Sequence, residues 1–208
     1  MVNKQENNDG LHLPLVEEFY TIQGEGCNTG KAAYFIRVGG CDIGCSWCDT
    51  KYSWNADMHP MVDINVIVNN VIAAGADSVV VTGGEPLMWN IGPLCDLLKK
   101  KGIKTFLETS GSYPLTGRWD WITLSPKKAS LPLPGIWRRA DELKVIVEDG
   151  TDFDAAEKYS TRVSRGCKLL LQPEWSRYTE MIAAITEYVK KHTQWTVSLQ
   201  AHKFMHIP

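Results

Sequence analysis

The stretch DINVIVNNVIAAGADSVVVTGGEP, residues 63–86, decides the fold class. Its first half sets Ile64, Ile67, Val68, Val71 and Ile72 on one face, at the three- and four-residue spacing of an amphipathic helix. Asp63 offers the N-cap oxygen for the first turn, and Gly75 is the residue type that stops a helix. Residues 78–82 then read as a buried, β-branched strand running straight into Gly83-Gly84-Glu85-Pro86. Helix, strand and glycine turn recur to either side. Strand signals fall at residues 34–38, 104–108, 121–124, 142–147, 168–172 and 196–199. A second helix runs through Leu94, Leu97 and Leu98 into Lys99, Lys100 and Lys101, whose charges complement the negative end of its dipole, and Gly102 ends it. A third covers residues 178–192. The alternation predicts an α/β fold with a mostly parallel sheet. A closed eightfold barrel normally takes about 250 residues. This chain has 208, so an open, partial (β/α) barrel of about six core strands with few helices is expected. Chemistry in such sheets gathers beyond the carboxyl ends of the strands.

Composition narrows the function classes. Apolar residues at 44% and charged residues at 22% exclude a disordered chain. The length predicts one domain, 1–208, with residues 1–13 as a loosely ordered N-terminal extension. A net charge of -2, from 22 basic and 24 acidic residues, argues against a phosphate-tracking surface, so no nucleic-acid partner is expected. No apolar run approaches the roughly 18 residues of a membrane span, and the polar start lacks a signal core. The expected address is a reducing cytoplasm, without membrane attachment. Six cysteines are too sparse for a disulfide scaffold, and three of them crowd one short segment.

That segment is Gly39-Gly40-Cys41-Asp42-Ile43-Gly44-Cys45-Ser46-Trp47-Cys48-Asp49-Thr50, directly after the 34–38 strand. Three thiolates at Cys-x3-Cys-x2-Cys spacing can hold three irons of a 4Fe–4S cluster and leave the fourth open to another ligand, whereas electron-transfer clusters usually close with a fourth Cys. A structural zinc site would need four ligands, commonly as two separated pairs. Cys27, Cys95 and Cys167 are isolated and supply no second pair. Zinc and plain buried thiols stand as the alternatives.

With Trp47 before its last Cys, the triplet resembles the signature of the radical S-adenosylmethionine (SAM) superfamily, whose barrel type is the partial one expected above. Thr82-Gly83-Gly84-Glu85-Pro86 resembles the same superfamily's second motif, in which backbone and Glu receive the amino group of SAM. Four further segments narrow the resemblance: 18–26 (EFYTIQGEG), Phe35-Ile36-Arg37, Cys48-Asp49-Thr50-Lys51 and 198–208 (SLQAHKFMHIP). Together they resemble the 7-carboxy-7-deazaguanine synthase family of 7-deazapurine and queuosine biosynthesis, from about Val16 to Pro208.

That resemblance implies a radical SAM carbon–nitrogen lyase. Its substrate would be 6-carboxy-5,6,7,8-tetrahydropterin, contracted to 7-carboxy-7-deazaguanine with loss of ammonia. The implied cofactors are a 4Fe–4S cluster on Cys41, Cys45 and Cys48, SAM, and Mg2+ on Thr50. For SAM the resemblance carries over Trp47, Cys48, Asp49, Gly84, Glu85, Ser125, Pro126, Lys127, Gln172, Pro173, Glu174 and Trp175. For substrate it carries over Ile22, Gln23, Gly24, Glu25, Arg37, Thr82 and Pro208. The chemistry of these residue types fits. A Gln side chain and nearby backbone can pair with an amide edge, Arg37 can take a carboxylate as a fork, and magnesium tolerates one hydroxyl with waters and substrate oxygens. Taken singly, each has an ordinary reading as well: a surface ion pair for Arg37, a loop cap for Thr50, a turn residue for Gln23. Glu108 and Lys144 are weaker candidates, and His202, Lys203 and His206 have no assigned role. The implied partners are a flavodoxin- or ferredoxin-type electron donor and a second copy of the chain in a homodimer. A glycyl-radical activase and a non-enzymatic iron–sulfur or zinc module are the rival readings.

Overall fold

The computed structural model describes residues 8–208. Strand β1 (His12–Ile22) is followed by β2 (Ala32–Val38), β3 (Met61–Asp63), helix α1 (Ile64–Ala73), β4 (Ser78–Gly83), α2 (Gly92–Lys100), β5 (Lys104–Thr109) and β6 (Trp121–Leu124). The chain continues through β7 (Glu142–Val147), α3 (Thr151–Ser160), β8 (Lys168–Pro173), α4 (Tyr178–Lys191), β9 (Trp195–Val197) and α5 (Ala201–Met205). One nine-stranded sheet orders them β3-β1-β2-β4-β5-β6-β7-β8-β9. From β2 to β9 every pairing is parallel, while β1 runs antiparallel to both its neighbours. Six strands, β2 and β4 to β8, make up the long parallel core, as expected, and the sheet is not closed.

Two apolar clusters lie between the sheet and its helices. Ile36, Val79 and Val81 meet Ile64, Ile67, Leu94 and Leu98 under α1 and α2. Leu107, Leu124, Leu143, Val145 and Leu171 pack with Ala156 of α3 and with Met181 and Ile185 of α4. Burying each such side chain contributes about 1.5–3 kcal/mol. Helix α1 starts where the sequence placed it, because the Asp63 side chain accepts from the Asn65 N–H.

Five features differ from expectation, two of them the short elements β3 and α5, for which the sequence carries no strand or helix signal. The start of the chain was expected to be loose through residue 13. Instead, Asn8 and Asp9 bond to Asn90, Leu13 is fully buried, and β1 pairs with β3 from His12 onward. The part of that expectation covering residues 1–7 lies outside the described residues. Strand β1 itself was missed because its centre is charged. Glu17 is held by Arg37, and Glu18 accepts through one oxygen from Asn70 while its Oε2 stays buried without a partner among the described residues, so these charges are carried by the strand's neighbours and break its apolar pattern. Helix α3 was missed because it buries only Asp152 and Ala156, too few positions to leave a periodic signal. Asp152 accepts instead from the backbone N–H groups of Glu148 and Asp149.

Candidate active site

Successive side chains of a strand point to opposite faces, and that decides what reaches the centre of the sheet. Val81, Leu107, Leu124, Leu143 and Leu171 turn toward the helices. Their neighbours Thr82, Glu108, Thr123, Ser125, Lys144 and Gln172 line a cavity of about 260 Å³ on the concave face. A parallel sheet buried on both sides usually reads as continuous apolar sequence. Here the polar residues interrupting each strand mark the cavity.

The cysteine loop leaves β2 and closes one side of the cavity. It is held by its backbone: Gly40 N–H donates to Ser53 O at 2.7 Å, Cys41 N–H to Trp54 O at 3.0 Å, and the Trp89 indole to Gly39 O at 2.8 Å. The glycine loop after β4 presses flat against it. A Cβ at Gly84 would stand 2.2 Å from Gly40 O, and one at Gly83, whose φ is +135°, would stand 2.1 Å from Val38 O. Only glycine fits this contact.

Cys41, Cys45 and Cys48 are half-buried free thiols that all line the cavity. Cys48 Sγ lies 3.5 Å from Thr50 Oγ1. Burial raises the Cys41 and Cys45 pKa values; the charges of Glu85 and of the other two thiols add to the effect at Cys41, and Lys127 opposes it at Cys45. As thiolates the three would repel one another, so holding them ionised calls for cations among them. Among the described residues no three His, Cys, Asp or Glu side chains gather around one ion site. A cluster asks for a different geometry, one thiolate per iron. Cys27, Cys95 and Cys167 lie outside the cavity, and burial pushes their thiols up to about 11, about 12 and about 12.

On the opposite side, the buried Gln23 amide donates to Glu108 Oε1 at 2.9 Å and accepts from Glu25 N–H at 3.1 Å. Thr82 Oγ1 donates to the other Glu108 oxygen at 3.3 Å. Glu25 pairs with the buried Lys144 and accepts from Gln200 Nε2 at 2.8 Å. Burial would raise the Glu25 carboxyl, but Lys144, Gln200 and Gln172 outweigh it and hold it at about 2. Burial likewise pulls Lys144 down, and the carboxylates of Glu25, Glu108 and Glu142 override it and raise it. Arg37 gives its Nε to Glu17 at 2.6 Å while lining the cavity. Segment 198–208 closes this side. Ala201 N–H donates to Gly24 O at 2.8 Å, Lys203 Nζ to Asp49 at 2.8 Å, and Thr21 Oγ1 to Pro208 O at 3.4 Å.

Residues 35–125 match the family model of the radical SAM superfamily. The 7-carboxy-7-deazaguanine synthase of Flavobacterium psychrophilum is 52% identical over 96% of this chain and 94% of its own. That of Synechocystis sp. is 47% identical over 94% and 93%. The chain belongs to the 7-carboxy-7-deazaguanine synthase family. In three dimensions this family member superposes on the crystal structure of QueE from Escherichia coli with a TM-score of 0.82, at 30% identity, over 94% of this chain and 96% of that one. Membership of the radical SAM superfamily implies a 4Fe–4S cluster and SAM.

The residues that this family resemblance singled out converge, with one exception. Ile22, Gln23, Gly24, Glu25, Arg37, Thr82 and Pro208 line the cavity, as do Cys41, Cys45, Trp47, Cys48, Asp49, Thr50, Gly84, Glu85, Ser125, Lys127, Gln172, Pro173, Glu174 and Trp175. Pro126 does not; it lines a neighbouring depression behind Trp47. Several side chains are already engaged. Glu174 accepts from the backbone of Ser176 and Arg177 and so caps the following turn. Gln172 accepts from Ser198 Oγ at 2.7 Å. Asp49 is tied to Lys203 and Gln200. Lys127 bonds to Ser125 Oγ at 2.7 Å and stands 5.2 Å over the Trp47 ring. Lys144, Glu108, Gln200 and His202 also line the cavity. The signal for Glu108 and Lys144 was present, since each is a charged residue directly beside a fully buried leucine, Leu107 and Leu143 respectively, within a parallel strand. Gln200 and His202 had no such signal, because they sit in a short terminal segment placed by its contacts.

Proposed function

We propose that this chain is a 7-carboxy-7-deazaguanine synthase that converts 6-carboxy-5,6,7,8-tetrahydropterin to 7-carboxy-7-deazaguanine with release of ammonia. The observation that carries the reading is the shared cavity. One space is lined by the cysteine loop, the Gly-Gly-Glu loop and the Gln23, Arg37 and Pro208 set, in a chain similar along its length to relatives of that name.

Cys41, Cys45 and Cys48 would hold three irons of the cluster. Gly84, the Ser125–Lys127 turn and the 172–175 rim would seat SAM beside it. When bound, the cluster and SAM supply the one-electron chemistry that starts hydrogen removal from substrate C6. The protein's own part is placement and exclusion of water. Gln23 is fixed by its bonds to Glu108 and to the Glu25 N–H, and each amide atom keeps one further position for a pterin edge. Arg37, with its Nε taken by Glu17, would present its remaining nitrogens to the substrate carboxylate. The Lys144 charge acts on both Glu25 and Glu108 and offsets one of the two negative charges they bring to the cavity. Thr50 would contribute one oxygen to a hydrated Mg2+. A homodimer and a flavodoxin- or ferredoxin-type reductant belong to the same proposal, as does a reducing cytoplasm that keeps the thiols free. No helix among the described residues is long and apolar enough to cross a membrane.

The test is anaerobic incubation with dithionite, SAM, Mg2+ and carboxytetrahydropterin, followed by mass spectrometry. A product with the mass of 7-carboxy-7-deazaguanine is expected. SAM cleavage with the pterin left unchanged would overturn the substrate assignment.

A further inference from the structure

Glu85 is 1% exposed. A carboxylate offers about four acceptor positions, and here protein donors take all of them. Oε1 accepts from Leu87 N–H at 3.0 Å and Thr109 Oγ1 at 2.6 Å. Oε2 accepts from Ser110 N–H at 2.8 Å and from the Ser110 hydroxyl. Its own N–H donates to Gly40 O at 2.8 Å, one residue before Cys41. Thr109 Oγ1 in turn accepts from Gly111 N–H at 2.9 Å, which fixes the turn after β5. One residue therefore joins the ends of β2, β4 and β5, which carry the cysteine loop, the glycine loop and the 109–112 turn. A ligand ammonium reaching this carboxylate would displace a buried donor and leave it unsatisfied, a substantial penalty.

We propose that Glu85 is a positioning residue, a buried clasp that holds these three loops in register around the SAM site, with no charge contact between its carboxylate and SAM. The inference rests on the SAM-dependent reading above, and it reassigns the ammonium-binding role that the motif resemblance implied for this side chain. The two roles differ in sign at Ser110. Ser110→Ala frees an acceptor position on Glu85. A carboxylate that binds the ammonium would then bind SAM as well or better. A clasp that has lost a bond lets the loops drift, and SAM binds less tightly.

The experiment measures SAM affinity by equilibrium dialysis on cluster-loaded protein, well below its melting temperature. Ser110→Ala is expected to raise the SAM Kd roughly three- to tenfold; an unchanged or lower Kd overturns the clasp. Glu85→Gln is expected to weaken SAM and a SAM analogue lacking the α-amino group together, by roughly tenfold or more. The ratio between the two ligands should stay as in the wild type, and collapse of that ratio overturns the proposal. If Glu85→Gln does not fold, Thr109→Val takes its place in the same comparison. A lowered melting temperature with unchanged SAM affinity would make Glu85 merely structural and also overturns the positioning role. Amide exchange of cluster-free protein gives a reading that needs no SAM. Leu87 and Ser110 should exchange slowly in the wild type and fast in Glu85→Gln. Fast exchange at both in the wild type refutes the clasp, whereas a wild-type chain that retains those slow amides yet binds no SAM refutes the functional reading instead.

Discussion

Replacing Lys144 by Met tests the ion pair beneath the cavity. The two side chains keep only 6% and 15% of their exposure, Lys144 and Glu25 respectively, so neither charge can fall back on water. The folded carboxyl of Glu25 is held at about 2, against an ordinary 4.5: burial opposes the shift, and Lys144 leads the groups that produce it. A carboxyl lowered on folding contributes stability that is present above its unfolded value and lost as the pH falls toward the folded one. That contribution amounts to about 3 kcal/mol. Lys144→Met removes the cation and leaves the buried anion, a change that costs about 3–5 kcal/mol. For a chain of this size the melting temperature should drop by roughly 10 °C. The pH dependence should also invert. Without Lys144, burial dominates and raises the Glu25 carboxyl, so the folded variant binds more protons than the unfolded chain near neutral pH. The deficit against the wild type should therefore narrow as the pH is lowered from about 7 to about 4. Adding Glu25→Gln should recover most of the loss at neutral pH. Thermal melts of the cluster-free protein followed by circular dichroism measure all of this. A deficit that stays constant over the pH range, or one below about 2 °C, would refute the reasoning.

Three other outcomes are expected. Cys41→Ala, Cys45→Ala and Cys48→Ala should each lose iron and SAM cleavage, whereas Cys27→Ala, Cys95→Ala and Cys167→Ala should keep both by iron analysis and turnover. Thr50→Val, nearly isosteric, should assemble the cluster but weaken the response of turnover to added Mg2+; an unchanged magnesium titration would reduce Thr50 to a loop residue. Gly84→Ala would place its methyl 2.2 Å from Gly40 O and 2.9 Å from Cys41 Cβ, so iron content after reconstitution should fall. Gly135→Ala, with nothing within 4 Å, should reconstitute like the wild type.

Much of this molecule was readable from its residues, and the reasons differ by element. The parallel strands announced themselves because their helix-facing positions must be apolar, and α1 did so because Asp63 and Gly75 bracket one apolar face. The cysteine and glycine loops were readable because chemistry and close packing leave few alternatives at Cys41, Gly83 and Gly84. Strand β1 and helix α3 were hidden for the opposite reason. Charged residues interrupt β1 and take partners far away in sequence, Glu18 accepting from Asn70, while α3 buries too few positions to leave a period and its Glu157 accepts from Tyr188 and Trp195. The engagement of Asp49 with Lys203 was equally invisible, because a charged loop residue next to a cofactor motif reads the same whether it meets ligand or protein.

The closure of the cavity by segment 198–208 bears on the order in which the molecule can assemble. Glu25 and Gln200 are 175 positions apart, and Asp49 and Lys203 are 154 apart. Bringing such distant residues together costs about 2 kcal/mol more in loop entropy than closing a turn of about ten residues. The strand-to-helix contacts of α1, β4, α2 and β5 are local and carry no such penalty, so they form early, and the long-range latch follows once the sheet beneath it exists. The wall that Gln200, His202 and Pro208 add to the cavity of the three thiols is therefore the part whose placement depends on all the rest of the sheet.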